Sequence, residues 1–474
     1  MKRTISFLGA AKQVTGSLFL VENDGVKILV DCGMDMEKRK KENVVPVEFP
    51  FDPSEIHAVV LTHAHIDHSG NLPLLKRWGF EGKIYSTVPT YYLTHLLLMD
   101  CAGINRKKIA SLSGKRAGKR GPGLNKQAYD SLYLEPQVVQ TMKQFATLNF
   151  NVRHKIAPNV AIKFIPAGHL LGAAHVVMYL KREDGSETRI GLSGDIGRDY
   201  YPLLVDPEPM EAVDYLVTES TYGGRMHEPG RDYTGYLSKI IKETCVEKGG
   251  RLIIPAFSVG RTQALLFEIK KMVNLGLIPE IKVFVDSPLS LESTKAYQQM
   301  HNYLNKEARE VQKVDGEIFI FDQLFYIENE KQSKILSQFD EPAIIISASG
   351  MLDGGRIQTH IRKNIENPNA TILMVGFASP GTLGAKLREQ PKELHFDKKT
   401  YQVRARILST SLFSGHGDQA DLIRFVQHQN PQDLKQVFLV HGEEPSMEQL
   451  SASLKEIGFS SIEIPSKNDV YELH

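Results

Sequence analysis

The segment Thr62-His63-Ala64-His65-Ile66-Asp67-His68-Ser69-Gly70 puts three imidazoles and a carboxylate within six consecutive positions. These are the ligand types that suit zinc and similar divalent cations. At the end of an extended strand His63 and His65 point the same way, because side chains repeat every second residue. The chain must then turn to carry Asp67 and His68 round to a second ion, and Gly70 fits such a turn. Surface histidines gathered by chance do not account for this spacing at the end of an apolar strand.

Four neighbouring ligands do not complete two ions, so others are expected at further strand ends, where a rigid sheet positions its loops. His169 follows an expected strand Ala161–Pro166 across Ala167-Gly168, Asp195 follows Thr188–Ser193 across Gly194, and His441 follows Val437–Val440 directly. Each alone reads as an ordinary loop residue; the recurrence makes them candidate ligands. His175 lies inside an apolar strand and reads as structural.

The elements that must hold these groups are legible from patterning. Short β-branched or alternating stretches at Thr4–Leu8, Ser17–Glu22, Val26–Asp31 and Ala58–Thr62 predict strands, and Asn71–Trp78 predicts a helix. Tyr91–Ala102 and Pro136–Leu148 are expected to be helical, His175–Lys181 and Tyr215–Thr218 to be strands. Beyond about Gly223 the rhythm changes. Helices at Tyr233–Glu247 and Arg261–Met272 alternate with apolar strands at Arg251–Pro255, Lys282–Asp286, Ala343–Ser347 and Thr371–Gly376. Such β-α-β alternation predicts a parallel sheet flanked by helices. The chain is thus read as a first domain at 1–222, an inserted domain at 223–404, and a return to the first at 405–474.

With 474 residues the chain is too long for one ordinary core, which agrees with two domains. A formal net charge of +1 neither demands nor excludes a nucleic-acid partner. The three cysteines, Cys32, Cys101 and Cys245, are odd in number and far apart, so neither a disulfide framework nor a thiolate metal site is indicated. No apolar run approaches the roughly 20 residues needed to span a bilayer. No membrane association is expected, and a reducing cytoplasm is the expected location. Between Arg106 and Lys126 six further Lys and Arg occur among glycines with no acidic residue. This stretch reads either as a solvated loop or as a basic arm for a polyanion.

His63-Ala64-His65-Ile66-Asp67-His68 resembles the signature of the metallo-β-lactamase fold. Asp31 in Val30-Asp31-Cys32-Gly33, His169 in Ala167-Gly168-His169 and Asp195 in Ser193-Gly194-Asp195 match its other motifs in order. Later residues are more specific. Glu219 in Thr218-Glu219-Ser220-Thr221-Tyr222-Gly223, His416 in Phe413-Ser414-Gly415-His416-Gly417-Asp418, and His441 in Leu439-Val440-His441-Gly442-Glu443 resemble the three additional motifs of the β-CASP nuclease branch. The resemblance covers nearly the whole chain. It implies an α/β protein, a metallo-β-lactamase αββα sandwich with an inserted β-CASP domain, similar to the cleavage-and-polyadenylation endonuclease and its prokaryotic relatives.

The resemblance also implies a zinc-dependent ribonuclease with two zinc ions per chain. His63, His65 and His169 would bind one ion, Asp67, His68 and His441 the other, and Asp195 would bridge them. His416 would act as general acid held by Glu219, with Asp67 also among the catalytic groups; a purely structural Glu219–His416 pair is the competing account. Asp31 would order the histidine loop without touching metal. Ser347, Ser349 and Gly350 after a parallel strand could cradle a phosphate through backbone amides, or form a plain turn. Arg261, opening a helix, could contact phosphate or form a surface salt bridge. DNA-acting members of the branch typically lack the histidine corresponding to His441, so RNA is the expected partner; a homodimer is compatible. The rival functions are a small-molecule hydrolase of lactamase or thioesterase type on the same core, a non-catalytic RNA-binding scaffold, and a DNA hydrolase.

Overall fold

The computed structural model describes residues 3–37, 47–112, 129–182, 184–230, 232–376, 378 and 381–474. They form two compact units. The first comprises Met1–Asp199, Asp206–Met226 and His416–His474; the second comprises Tyr200–Val205 and His227–Gly415.

The first unit is built on two seven-stranded sheets. One runs in the order Asp469–Glu472, Arg3–Phe7, Phe19–Asn23, Val26–Val30, Ala58–Val60, Lys83–Ser86, Phe145–Thr147. The other runs Ile462–Glu463, Gln436–Val440, Tyr215–Glu219, Glu187–Leu192, Ala174–Lys181, Val160–Pro166, Arg153–Ala157. Alternation in these strands separates their faces: in Phe19–Asn23 the first, third and fifth residues are buried, and the second and fourth only partly so. The inward set, including Ile5, Phe7, Val21, Ile28 and Val60 from one sheet and Ile162, Phe164, Val176, Met178, Val217 and Phe438 from the other, forms a shared core.

Helices cover the outer faces. Leu422, Phe425 and Val426 of helix Gln419–Gln427, and Met447, Leu450 and Leu454 of helix Glu444–Glu456, pack on the second sheet through Val177, Leu216 and Leu439. Leu72 and Leu75 of helix Leu72–Arg77 pack on the first sheet against Leu29, Val59 and Ile84. These spacings of three and four put one helix face on the sheet, and each such fully buried side chain contributes about 1.5–3 kcal/mol. The result is four layers, αββα.

The second unit is centred on a six-stranded sheet in the order Leu324–Tyr326, Lys282–Asp286, Ala343–Ser347, Arg251–Pro255, Thr371–Met374, Arg406–Ser409, with every pairing parallel. Arg251–Pro255 and Ala343–Ser347 are buried along their whole length, the pattern of a sheet covered on both faces. Ile253, Ile345 and Ile372 meet Ile357, Ile361 and Leu387 from helices Ile357–Asn364 and Leu383–Arg388.

The structure departs from the sequence reading in three places. Pro136–Leu148 is not one helix: the helix is Glu135–Met142, and Phe145–Thr147 is a strand paired with Lys83–Ser86. Met142, Phe145 and Leu148 are spaced as on a helix face, but backbone pairing at the sheet edge prevails. Arg406–Ser409 extends the second unit's sheet beside Thr371–Met374, so 405–415 stays with that unit. Residues 200–205 also belong there, where the Leu203 carbonyl accepts from Asn305 N–H at 2.8 Å.

Candidate metal centre

Every candidate ligand follows a strand end in the first unit. Beyond Ala58–Val60 the chain runs extended to His63 and His65, then turns into the short helix Ile66–Ser69 that carries Asp67 and His68. His169 follows Val160–Pro166, Asp195 follows Glu187–Leu192, and His441 follows Gln436–Val440. The histidine turn is fixed by neighbouring backbone: Ser17 N–H donates to Asp67 O at 2.8 Å and Cys32 N–H to His68 O at 2.7 Å. Gly33 sits so close that a Cβ there would lie 1.6 Å from Asp67 O. Gly194, at φ +55°, lets the chain turn sharply before Asp195.

The side chains converge in two groups. In the first, His63 Nε2 lies 3.2 Å from His65 Nδ1 and His65 Nδ1 lies 3.1 Å from His169 Nε2. Asp195 Oδ2 is 3.4 Å from both His63 Nε2 and His169 Nε2. In the second, His68 Nε2 lies 3.3 Å from His441 Nε2 and 3.3 Å from Asp195 Oδ1, and His441 Nε2 lies 3.6 Å from Asp67 Oδ2. Ligands about 2.0–2.1 Å from a tetrahedral zinc stand about 3.3–3.4 Å apart, the edge of the tetrahedron. The observed spacings, from 3.1 to 3.6 Å, bracket those edges. Asp195 turns Oδ2 to one group and Oδ1 to the other, and Oδ1, although buried, accepts no hydrogen bond. A buried carboxylate oxygen without a donor is costly unless a cation meets it. The residues present therefore fit a pair of divalent cations.

The electrostatics suit that reading. Burial lowers the pKa of His63, His65 and His169, with His65 brought down to about 3, so their lone pairs are free at neutral pH. Burial works against the charged forms of Asp67 and Asp195, but the surrounding imidazoles outweigh it and hold both well below the usual carboxylate range. Burial also opposes the charged form of His68, yet Asp195 and Asp31 raise it well above an ordinary histidine. A bound cation would take the place of that proton.

Contacts behind the candidate ligands set their orientation. Asp31 Oδ2 lies 2.7 Å from His68 Nδ1, and Asp31 Oδ1 accepts from Thr62 N–H at 2.8 Å. Thr62 Oγ1, 3.0 Å from the same carboxylate, is 3.1 Å from His63 Nδ1. Asp31 therefore touches one histidine directly and a second through Thr62, as expected for a carboxylate that orders ligands from behind. His175 is buried in its strand with Nδ1 2.6 Å from Ser193 O, and serves the backbone.

His416 and Glu219 meet beside this cluster. His416 Nδ1 lies 3.1 and 3.2 Å from the two Glu219 oxygens, and His416 Nε2 lies 3.9 Å from Asp195 Oδ2. Glu219 is buried and also accepts from Ile196 N–H at 2.6 Å and Thr221 N–H at 3.3 Å. Burial disfavours the His416 imidazolium, but the Glu219 charge and hydrogen bond, with Asp195 and Asp67, push it up to about 9.

Ser347, Ser349, Gly350 and Arg261 all lie in the second unit. Ser347 is buried and spends its hydroxyl on the Asp286 carbonyl at 2.9 Å. Ser349 Oγ lies 3.3 Å from Gly354 O. Gly350 approaches Phe257 N, and the Arg261 guanidinium stacks over the Phe257 ring at 4.8 Å while its Nε donates to Phe413 O at 3.0 Å. Arg261 thus engages a backbone carbonyl and an aromatic face. Of the basic stretch, residues 113–126 lie outside the described residues; Arg106, within helix Val88–Leu112, forms an ion pair with Glu135 at 3.0 Å. Sequence reasoning assigned no role to Thr62 or Thr221; the available signal was a hydroxyl directly before one ligand and another two residues after Glu219.

A two-sheet sandwich with a histidine–carboxylate cradle at its strand ends defines a metal-dependent hydrolase core. Residues 12–128 match the metallo-beta-lactamase superfamily, 262–387 the Beta-Casp domain, and 400–465 the Zn-dependent metallo-hydrolase RNA specificity domain. The chain is 30% identical to Ribonuclease TTHA0252 of Thermus thermophilus, over 93% of each chain. It is 30% identical to Transcription termination factor FttA of Methanosarcina mazei, over 95% of this chain and 68% of that one. It is 29% identical to an RNase J-like protein of Methanocaldococcus jannaschii, over 93% of this chain and 92% of that one. A crystal structure of a protein of unknown function from Enterococcus faecalis shares the fold at TM-score 0.54 and 14% identity, covering 100% of both chains. The chain belongs to the metallo-β-lactamase-fold β-CASP ribonuclease family, whose members are metal-dependent hydrolases.

Proposed function

We propose that this protein hydrolyses RNA phosphodiester bonds with two zinc ions held at the strand ends of its first unit. His63, His65 and His169 would hold one ion and Asp67, His68 and His441 the other, with Asp195 facing both groups. The observation that carries this reading is Asp195, whose two oxygens face two separate imidazole groups at ligand-edge distances. Two such ions would supply Lewis-acid polarisation of the phosphoryl oxygen and a water whose pKa falls from about 15.7 towards about 7.

The chain's own groups do the rest. His416 presents Nε2 towards the cluster while Nδ1 is tied to Glu219. Glu219 keeps the ring oriented and charged, so a proton stands at Nε2 for the departing ribose oxygen. Asp31, through His68 and Thr62, holds the ligand turn in place. Ser349, Gly350 and Arg261 in the second unit contact the RNA backbone, as do the backbone amides around Ser347. Cys32, Cys101 and Cys245 form no disulfide, and among the described residues no helix is long and apolar enough to cross a membrane; we place the activity in the cytoplasm.

The RNA assignment draws on the match of 400–465 to the RNA specificity domain and on the ribonuclease names of the relatives. The test is to incubate the zinc-loaded protein with matched single-stranded substrates differing only in the 2′-hydroxyl, beside a chromogenic lactam. Cleavage of RNA alone is expected. Turnover of the lactam without RNA cleavage would replace this reading with a small-molecule hydrolase, and no turnover with metal bound would leave a binding scaffold. Substrates with free, phosphorylated or blocked 5′ ends then separate internal from end-directed cleavage.

A further inference from the structure

Thr221 lies two residues past the strand end that carries Glu219 and is 8% exposed. Three of its contacts reach the groups described above. Its N–H donates to Glu219 Oε2 at 3.3 Å. Its Oγ1 lies 3.0 Å from the backbone carbonyl of His441 and 3.1 Å from His441 Nδ1. A hydroxyl has one proton to donate, and a carbonyl oxygen can only accept. The Thr221 proton therefore goes to the His441 carbonyl, and Oγ1 is left to accept from Nδ1–H. That bond fixes the tautomer: the His441 proton sits on Nδ1 and the lone pair on Nε2. Nε2 is the atom that faces His68 Nε2 at 3.3 Å and Asp67 Oδ2 at 3.6 Å. The other acceptor near Nδ1, Asp195 Oδ1, is 3.6 Å away, too far for a hydrogen bond.

The histidines of the cluster are not held alike. His68 rests on the Asp31 carboxylate, and His63 on Thr62 backed by that carboxylate. His441 has a neutral hydroxyl instead, and its own backbone stands at φ +49°, an uncommon conformation for a residue with a side chain. The Thr221 hydroxyl is thus bonded to both the ring and the carbonyl of this left-handed residue, while Ser220 N–H supplies a further bond to that carbonyl at 3.3 Å.

We propose that Thr221 is the positioning residue of the second cation position: it sets the tautomer and angle of His441, and through Glu219 it anchors the His416 pair to the same turn. The proposal rests on the reading that Asp67, His68, His441 and Asp195 hold the second ion.

The test compares the parent with Thr221→Val, Thr221→Ser and His441→Ala, each stripped and titrated with zinc. Zinc per chain is followed by elemental analysis, and the cobalt-substituted proteins by visible absorption. Val keeps the shape of Thr without the hydroxyl, so it should retain one tightly bound ion and bind the second about 10–100-fold more weakly. Ser should restore parental affinity and the parental cobalt spectrum, and metal-free melting temperatures should show all variants folded. A Thr221→Val protein that binds both ions as tightly as the parent overturns the proposal. So does a Ser variant that fails to rescue, because the methyl group would then be what matters. If His441→Ala also keeps two tight ions, it is the assignment of the second position that fails instead.

Discussion

At the scale of single residues, the proposed centre separates groups that would hold metal from a pair that would move a proton, and substitution should split them. His416→Ala removes no ligand of either group, so zinc content should stay at the parental value while RNA cleavage slows by about 10²–10⁴-fold. Unchanged cleavage, or a fall in zinc, would remove the acid role. Asp195→Asn should behave oppositely. It takes charge from the one carboxylate shared by both groups, so zinc per chain should fall, and elemental analysis after dialysis reads the difference. The convergence of the candidate ligands was legible in the chain. His63 to His68 are contiguous, and His169, Asp195 and His441 repeat one pattern of apolar strand followed by a ligating residue. Thr221 and Thr62 were not legible in that sense, because a threonine beside a ligand carries no signal until its hydroxyl is seen against a ring nitrogen.

At the scale of elements, strands with unbroken apolar runs were readable, and those made by pairing alone were not. Arg251–Pro255, Lys282–Asp286 and Ala343–Ser347 have the bounds their composition predicts. Phe145–Thr147 was hidden in a helical spacing, and Arg406–Ser409 lies at a sheet edge with no compositional break before it. The second unit also has a buried charge network at the end of one strand. Asp286, fully buried, meets Arg356 Nη1 at 2.8 Å, His360 Nε2 at 2.7 Å and Ser333 Oγ at 2.6 Å. Burial alone would raise the Asp286 pKa, but these three partners outweigh it and the net shift is downward. A carboxylate whose folded pKa lies below its unfolded value stabilises above the unfolded value, near 3.9, and loses that contribution as pH falls through the folded one. Asp286→Asn should therefore destabilise the second unit by about 3–5 kcal/mol at neutral pH, because Arg356 is left unpaired. The gap between variant and parent in denaturant melts should close below about pH 4. A gap independent of pH would mean that shape, not charge, is what Asp286 supplies.

At the scale of the whole molecule, the candidate ligands all reside in one of two units, each with its own core. A ligand that binds only the folded state stabilises it by RT ln(1 + [L]/Kd), about 4.1 kcal/mol at a thousandfold excess over Kd. Chelation should therefore lower the melting transition of the first unit by several degrees and leave that of the second in place, as read by calorimetry with and without chelator. Equal displacement of both transitions would show that the units unfold as one. The division into units was expected from the change of rhythm near Gly223, whereas the short excursion of 200–205 into the second unit carries no local mark.

The order in which the centre's parts occur along the polypeptide has a consequence for biosynthesis. His63, His65, Asp67, His68, His169 and Asp195 all precede residue 226, whereas His416 and His441 follow the second unit. A ribosome translating this message thus makes one complete set of the proposed ligands long before the remaining imidazoles emerge. The nascent polypeptide is accordingly expected to stay catalytically silent while it is still tethered to its own transcript, and to become competent only after translation passes His441. Ribosome-stalled chains ending before and after that codon, assayed on added RNA, would display the onset.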